Sequence, residues 1–268
     1  MTDATLVVDV GATFIRCGVA GGGEWTVTGD TPPSGHGLAN AIAEMVRRAS
    51  PVTPQRILVG CPGLVSADGQ LVKSLYLPFA AGPLRDELTQ MLGTRVLVHN
   101  DTYVQASGAA DPGERLVYIA IGTGVGGVVV AKCPDDRGRH GFAGELGHIP
   151  SDHRLLPCRC GRFGCLDTAA GGRYLEQRLG VAWWKDRSQG AVVENLIAAG
   201  AALGAAAAIA ASIVDPDRLV IAGRLTAYQE VTTKLFEVFR LMSWLAYDID
   251  LVEDGSIYAL RGALALAP

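Results

Sequence analysis

The sequence predicts an α/β protein, and three observations carry that expectation. Short apolar runs suited to buried strands recur along the chain, at residues 5–10, 56–60, 95–98, 116–121 and 218–221. Helical apolar spacing lies between several of them, as at 38–49 and 84–92. Two hairpins with glycine- and threonine-bearing turns, around Asp9–Thr13 and Gly122–Gly127, hint at two related halves. With 268 residues the chain is long enough for one large domain or two medium ones, each with its own core.

Composition narrows the function. Net charge is −4, and no run of Lys or Arg exceeds two residues, which argues against a nucleic-acid surface. The opening Met-Thr-Asp-Ala-Thr lacks the basic and long apolar regions of a signal peptide, so a reducing cytoplasm is expected. Leu196–Val214 carries no charge, yet it is rich in alanine and contains Gly200 and Gly204. Asp215-Pro216 follows at once, so a buried helix packed on a sheet is expected rather than a membrane span.

Taken in order, Thr5–Val10 reads as a strand entering Gly11-Ala12-Thr13, and Phe14–Ala20 as its hairpin partner. In such a turn Gly11 lets backbone amides approach an anion, Thr13 adds a hydroxyl, and Asp9 can hold Mg²⁺. Alone, the pattern also fits an ordinary hairpin. Residues 38–49 are expected to be a helix ending on Arg47 and Arg48. The strand from Arg56 runs into Gly60-Cys61-Pro62-Gly63, backbone of the kind found at ligand-binding strand ends in α/β sheets, or else a simple turn. Asp68-Gly69 marks the next hairpin.

Arg95–Val98 delivers His99-Asn100-Asp101-Thr102 to a strand-to-helix junction. There Asp101 can accept a hydroxyl proton and Asn100 can bind a neighbouring hydroxyl, or either can cap the following helix. Gly122–Gly127 follows a strand but opens no helix, so it is no dinucleotide fingerprint. A second phosphate turn built from Gly122, Thr123, Gly124 and Gly126 fits better. Residues 169–179, 191–214, 226–245 and 257–267 are expected to be helical, with Phe236 and Trp244 in the core. Cys17, Cys61 and Cys133 sit in strand-like runs and read as small buried hydrophobes.

The most demanding pattern is Gly144–Asp167. Cys158, Cys160 and Cys165 lie within eight residues, and His148 is ten residues upstream. Three thiolates and one imidazole suit a closed, tetrahedral structural Zn²⁺ site. The competing readings are unrelated thiols or a disulfide with one cysteine left over; His153 is a second candidate imidazole. Glu145 lies three residues before His148, so in a helix both would share a face.

Together these stretches resemble the ROK family of sugar kinases and, within it, the D-allose kinases. The match rests on Asp9-Val-Gly-Ala-Thr13, Gly60-Cys-Pro-Gly63, Asn100-Asp101, Gly122–Gly127, Glu145-Leu-Gly-His148 and Cys158-x-Cys-Gly-x-x-Gly-Cys165. The resemblance implies an actin-like, ribonuclease-H-like ATPase fold with two α/β domains around a cleft. The expected division is 1–101 with the terminal helix 257–268, and 102–256 with the zinc loop. It implies phosphoryl transfer from ATP with Mg²⁺ to a hexose hydroxyl, with Asp101 as general base. Gly63, Asn100, Glu145, His148 and Asp167 would contact the sugar. Asp9, Gly11, Ala12, Thr13, the Gly122–Gly126 turn and Gly223 would face the nucleotide. His148, Cys158, Cys160 and Cys165 would hold zinc. A homodimer is implied, with neither nucleic acid nor membrane as partner.

Asp167 departs from the family's usual Glu, and the adenosine-side glycine run is reduced to Ala222-Gly223-Arg224. The alternatives are a kinase of glucose, N-acetylmannosamine or fructose, or a sugar-sensing regulator. Family regulators carry a DNA-reading helix-turn-helix before the first strand, for which a strand starting at residue 5 leaves no space.

Overall fold

The computed structural model describes residues 5–131, 138–140, 142–151, 154–180, 182–185 and 190–266. Cys133 and His153 lie outside them. The chain forms two compact units, one of residues 1–111, 133–143 and 256–268, the other of residues 112–132 and 144–255.

The first unit is built on a sheet of β1 (Thr5–Val10), β2 (Phe14–Val19), β3 (Val27–Asp30), β4 (Arg56–Cys61) and β7 (Arg95–Asn100), in the order β3-β2-β1-β4-β7. β1 pairs antiparallel with β2 and parallel with β4, which pairs parallel with β7. β1 and β4 are apolar at nearly every position because helices cover both faces. On one face lie α1 (Leu38–Ala49) and α2 (Leu84–Leu92), which bury Ile42, Val46 and Leu88 against Leu6, Ile57 and Val96. The ribbon β5 (Leu64–Val65) and β6 (Leu71–Lys73) turns at Asp68-Gly69, as that dipeptide predicts. On the other face α3 (Asp101–Ala109) and α8 (Ile257–Leu266) pack over Val7 and Leu58.

The α3–α8 contact is unusually close. A Cβ on Gly108 would stand 1.9 Å from Tyr258 O, and one on Gly262 2.0 Å from Val104 O. Only glycine at both positions lets the backbones meet, and this contact places α3 in the first unit rather than with the segment after Asp101.

The second unit holds β8 (Leu116–Ile121), β9 (Val125–Val130), β10 (Arg218–Ala222) and β11 (Ile249–Val252), in the order β11-β10-β8-β9. β8, β10 and β11 are parallel, and β9 returns antiparallel along β8. Each unit thus carries an antiparallel hairpin beside parallel strands. The remaining helices are α4 (Leu166–Ala170), α5 (Gly172–Leu179), α6 (Gly190–Val214) and α7 (Gln229–Met242).

Four details differ from the sequence expectation. The run 169–179 is two helices, because Gly171 takes an extended conformation (φ −66°, ψ 133°) between them. The expected helix 226–245 starts as a 3₁₀ turn and ends at Met242, which leaves Trp244 95% exposed instead of in the core. Phe236 is partly buried against the core. β3 and β11 were not legible, since each is only four residues long, with Thr28 and Asp30 interrupting the first and Asp250 the second.

α6 is long and apolar enough to cross a membrane by length and composition. In the second unit it packs on α7, with Leu196, Ala199, Leu203, Ala206 and Ala207 in the core.

Candidate functional site

In the first unit the sequence-marked residues gather at the ends of parallel strands. Asp9 sits in β1 beside Gly60 of β4, and is 8% exposed. The turn after it is closed by Gly11 N–H donating to Phe14 O (2.8 Å). Thr31, which sequence patterning did not single out, braces that turn: its Oγ1 donates to Gly11 O and its N–H to Thr13 O, both at 2.8 Å.

β7 ends on Asn100, and α3 begins at Asp101. Asn100 supplies the cap: its Oδ1 accepts Tyr103 N–H at 3.0 Å, while its Nδ2 donates to Gly63 O at 3.0 Å. Gly63 (φ +132°) passes so close to the β6 end that a Cβ would lie 2.3 Å from Lys73 O. Asp101, one residue on, is therefore not needed as a cap. Its Oδ1 accepts Thr102 N–H at 2.8 Å, and burial raises its pKa to about 6 despite those hydrogen bonds. The Cys61 thiol, fully buried at the neighbouring strand end, is pushed up by that burial and then by Asp101 and Asp9. Cys17, also fully buried, is pushed up to about 12 by the same burial. Both are inert thiols, as their apolar surroundings predict.

In the second unit the glycine turn is shorter than expected. Gly122–Gly124 forms it, closed by Gly122 N–H donating to Gly124 O at 2.8 Å. Gly126 and Gly127 belong to β9, paired with Ala120 and Ile119, so Gly126 is a strand residue rather than part of the turn. Two carbonyls of the turn are taken by the start of α5: Gly172 N–H donates to Gly122 O and Arg173 N–H to Thr123 O. Gly223, at the end of β10, lies so near β8 that a Cβ would be 1.9 Å from Ile121 O. It therefore sits at the strand end that feeds the turn.

Glu145 leads into a 3₁₀ turn, Leu146–His148, whose last residue is His148, so the two do not lie together within one helix. Glycines press this turn onto β9. A Cβ on Gly147 would meet Val125 O at 1.7 Å, one on Gly144 would meet Val128 Cα at 2.6 Å, and one on Gly127 would meet Leu146 Cβ at 2.6 Å.

The donor atoms of His148, Cys158, Cys160 and Cys165 all lie within 4.8 Å of one another. Cys160 Sγ and Cys165 Sγ are 3.6 Å apart, as are Cys158 Sγ and His148 Nδ1. Metal–sulfur bonds of about 2.3 Å at tetrahedral angles put sulfur atoms roughly 3.8 Å apart, so the residues fit a tetrahedral ion. Burial, then Cys160 and Cys158, push the Cys165 thiol up to about 12. Three thiols this close resist ionising together without a dication among them.

Asp167 is 1% exposed. Its Oδ1 accepts Val125 N–H at 2.8 Å, so the carboxylate joins the start of α4 to the residue that ends the glycine turn.

The sequence profile of the ROK family matches residues 5–268. This chain is a ROK-family protein. It is 29% identical over 299 aligned positions to an N-acetyl-D-glucosamine kinase of Salmonella paratyphi A, covering 96% of this chain and 97% of the other. A glucokinase of Halalkalibacterium halodurans is 36% identical over 119 residues, which is 42% of this ROK protein and 36% of its relative. Among solved structures, a ROK glucokinase from Streptomyces griseus in complex with glucose and AMPPNP superposes with TM-score 0.84 at 26% identity, covering 98% and 99% of the two chains. A ROK hexokinase from Thermus thermophilus gives 0.77 at 28% identity, over 97% and 96%. The ROK protein has the actin-like, ribonuclease-H-like ATPase fold that its sequence predicts.

Proposed function

We propose that this ROK protein is an ATP-dependent kinase that phosphorylates a hexose hydroxyl, the exocyclic 6-hydroxyl first. The observation that carries the reading is Asp101: a carboxylate at a strand-to-helix junction, relieved of capping by Asn100, with a pKa raised to about 6 by burial. A base poised near neutral pH suits removal of a proton from an alcohol during phosphoryl transfer.

In this reading Asp101 accepts the proton of the attacking hydroxyl. Gly63 and Asn100 bind neighbouring hydroxyls, with Asn100 held rigid by its two hydrogen bonds. Glu145 and His148 are assigned to the sugar on the family resemblance, and His148 Nδ1 faces Cys158 Sγ. Asp9, Gly11, Ala12 and Thr13, the Gly122–Gly124 turn and Gly223 hold the nucleotide. Asp9 is the residue for Mg²⁺, which when bound neutralises developing phosphate charge. His148, Cys158, Cys160 and Cys165 hold structural Zn²⁺, whose four protein ligands leave no open position for chemistry.

D-allose is the first sugar to test, on the Asp9–Arg16, Pro62–Ser66, Gly144–Pro150 and Gly164–Thr168 stretches. A coupled assay of ADP formation over D-allose, glucose, N-acetylglucosamine, N-acetylmannosamine, mannose and fructose decides the matter. One sugar should raise ADP release well above the sugar-free rate. No response to any of them overturns the proposal.

A further inference from the structure

We propose that Asp167 is a positioning residue that fastens the donor-phosphate turn to the cysteine loop, and not a ligand of the sugar. The inference rests on reading Gly122–Gly124 as a phosphate turn.

Asp167 is the second residue of α4, which Cys165 immediately precedes. The thiol cluster therefore fixes where α4 starts. From there Asp167 Oδ1 accepts the N–H of Val125, the first residue of β9 after the turn. Its main-chain O accepts Gly171 N–H at 2.8 Å, and the next two amides, of Gly172 and Arg173, donate to Gly122 O and Thr123 O. One residue thus contacts the turn directly at its end and indirectly through the start of α5. Gly171 must be glycine for this, since a Cβ there would lie 2.6 Å from Asp167 O and 2.7 Å from Asp167 Oδ1.

The far side of α4 is also held. Arg178 donates from Nη1 to Thr168 O (2.6 Å) and from Nη2 to Ala169 O (3.2 Å), and its Nε donates to Asn195 Oδ1 (2.7 Å). Leu166 N–H donates to Ile149 O, which ties α4 to the turn bearing His148. α4 is a short rigid bracket between the cysteines and the glycine turn. Asp suits it: with the residue 1% exposed, one more methylene would drive the carboxylate into the Val125 backbone.

The test uses the full-length protein with its metal, comparing Asp167→Ala and Asp167→Asn with wild type. Asp167→Ala removes the acceptor, so KM for ATP should rise roughly tenfold while KM for the sugar stays within about twofold. Hydrogen exchange across residues 122–128 should quicken in the same variant. Asp167→Asn keeps Oδ1 as acceptor but loses the charge, so exchange and both KM values should stay near wild type. A rise in sugar KM in either variant with exchange unchanged overturns the proposal, because a sugar ligand would behave that way. If Asp167→Ala does not fold, Asp167→Asn still decides by the same two readouts. Absence of sugar-dependent turnover in wild type refutes the kinase reading instead, and the exchange comparison still tests the bracket.

Discussion

Asn100 Nδ2 donates to Gly63 O at 3.0 Å, and this bond ties the start of α3 to the loop that leaves β4. The same side chain caps α3 through Tyr103 N–H. Losing a cap costs about 1 kcal/mol, and leaving a half-buried carbonyl without its donor costs roughly another 1 kcal/mol. Asn100→Ala should therefore lower unfolding free energy by about 2 kcal/mol in urea denaturation. Asn100→Asp keeps the cap but sets a carboxylate against Gly63 O, and should recover less than half of that loss. A change of only a few tenths of a kcal/mol in Asn100→Ala would show that the cap and this bond contribute little to stability.

Asp101 makes opposite demands on activity and stability. Its pKa, raised to about 6 by burial, means kcat/KM should fall roughly tenfold per pH unit once pH drops below about 6. For stability, the folded pKa lies above the unfolded one, so the folded state binds the proton more tightly. That contribution is fully present below the ordinary carboxylate pKa near 4 and is lost as pH rises through about 6. Asp101→Asn, which cannot ionise, should unfold at a higher temperature than wild type at pH 8, with the gap closing toward pH 4. It should also lose at least roughly a thousandfold in turnover with saturating substrates. Near-normal turnover in that variant removes Asp101 as the base.

How far the sequence alone reaches depends on whether the signal is local. β1, β4, β8 and β10 were legible because both faces are buried and their sequences are largely apolar, and β7 from the shorter run Val96-Leu97-Val98, although only Val96 and Val98 are fully buried. The cysteine cluster was legible because its spacing is local, and the four donor atoms do converge. The bond between Asp167 Oδ1 and Val125 N–H was not legible, since the two residues are 42 apart in sequence. Thr31 and the α5 start were missed for the same reason: their bonds are to main-chain oxygens with no residue signature. Trp244 misled because helical spacing continued past Met242, where the hydrogen bonds stop.

If His148, Cys158, Cys160 and Cys165 hold zinc as proposed, each chain carries one ion. Zinc analysis of the purified protein should return about one equivalent. Cys160→Ser, which weakens one ligand, should lower Tm by roughly 10 °C, since binding free energy is folding free energy here. The loss should be concentrated in residues 144–171, read by hydrogen exchange, because the 145–148 turn and α4 are both anchored at the cluster. An unchanged Tm after complete chelation would mean that the loop is held by packing alone.

α6 offers two glycines with opposite expected outcomes in one helix. A Cβ on Gly204 would lie 2.4 Å from Leu235 O of α7, against backbone that cannot swing aside. Gly204→Ala should therefore push α6 and α7 apart and cost about 1–3 kcal/mol. Gly190 is the first residue of the same helix, and a Cβ there would meet nothing within 4 Å. Gly190→Ala should be neutral or stabilise by up to roughly 0.5–1 kcal/mol through helix propensity. Urea titrations of the two variants separate close helix packing from mere helix preference. If Gly204→Ala were as stable as Gly190→Ala, α6 would not be packed on α7 as described, and its apolar face would need another partner.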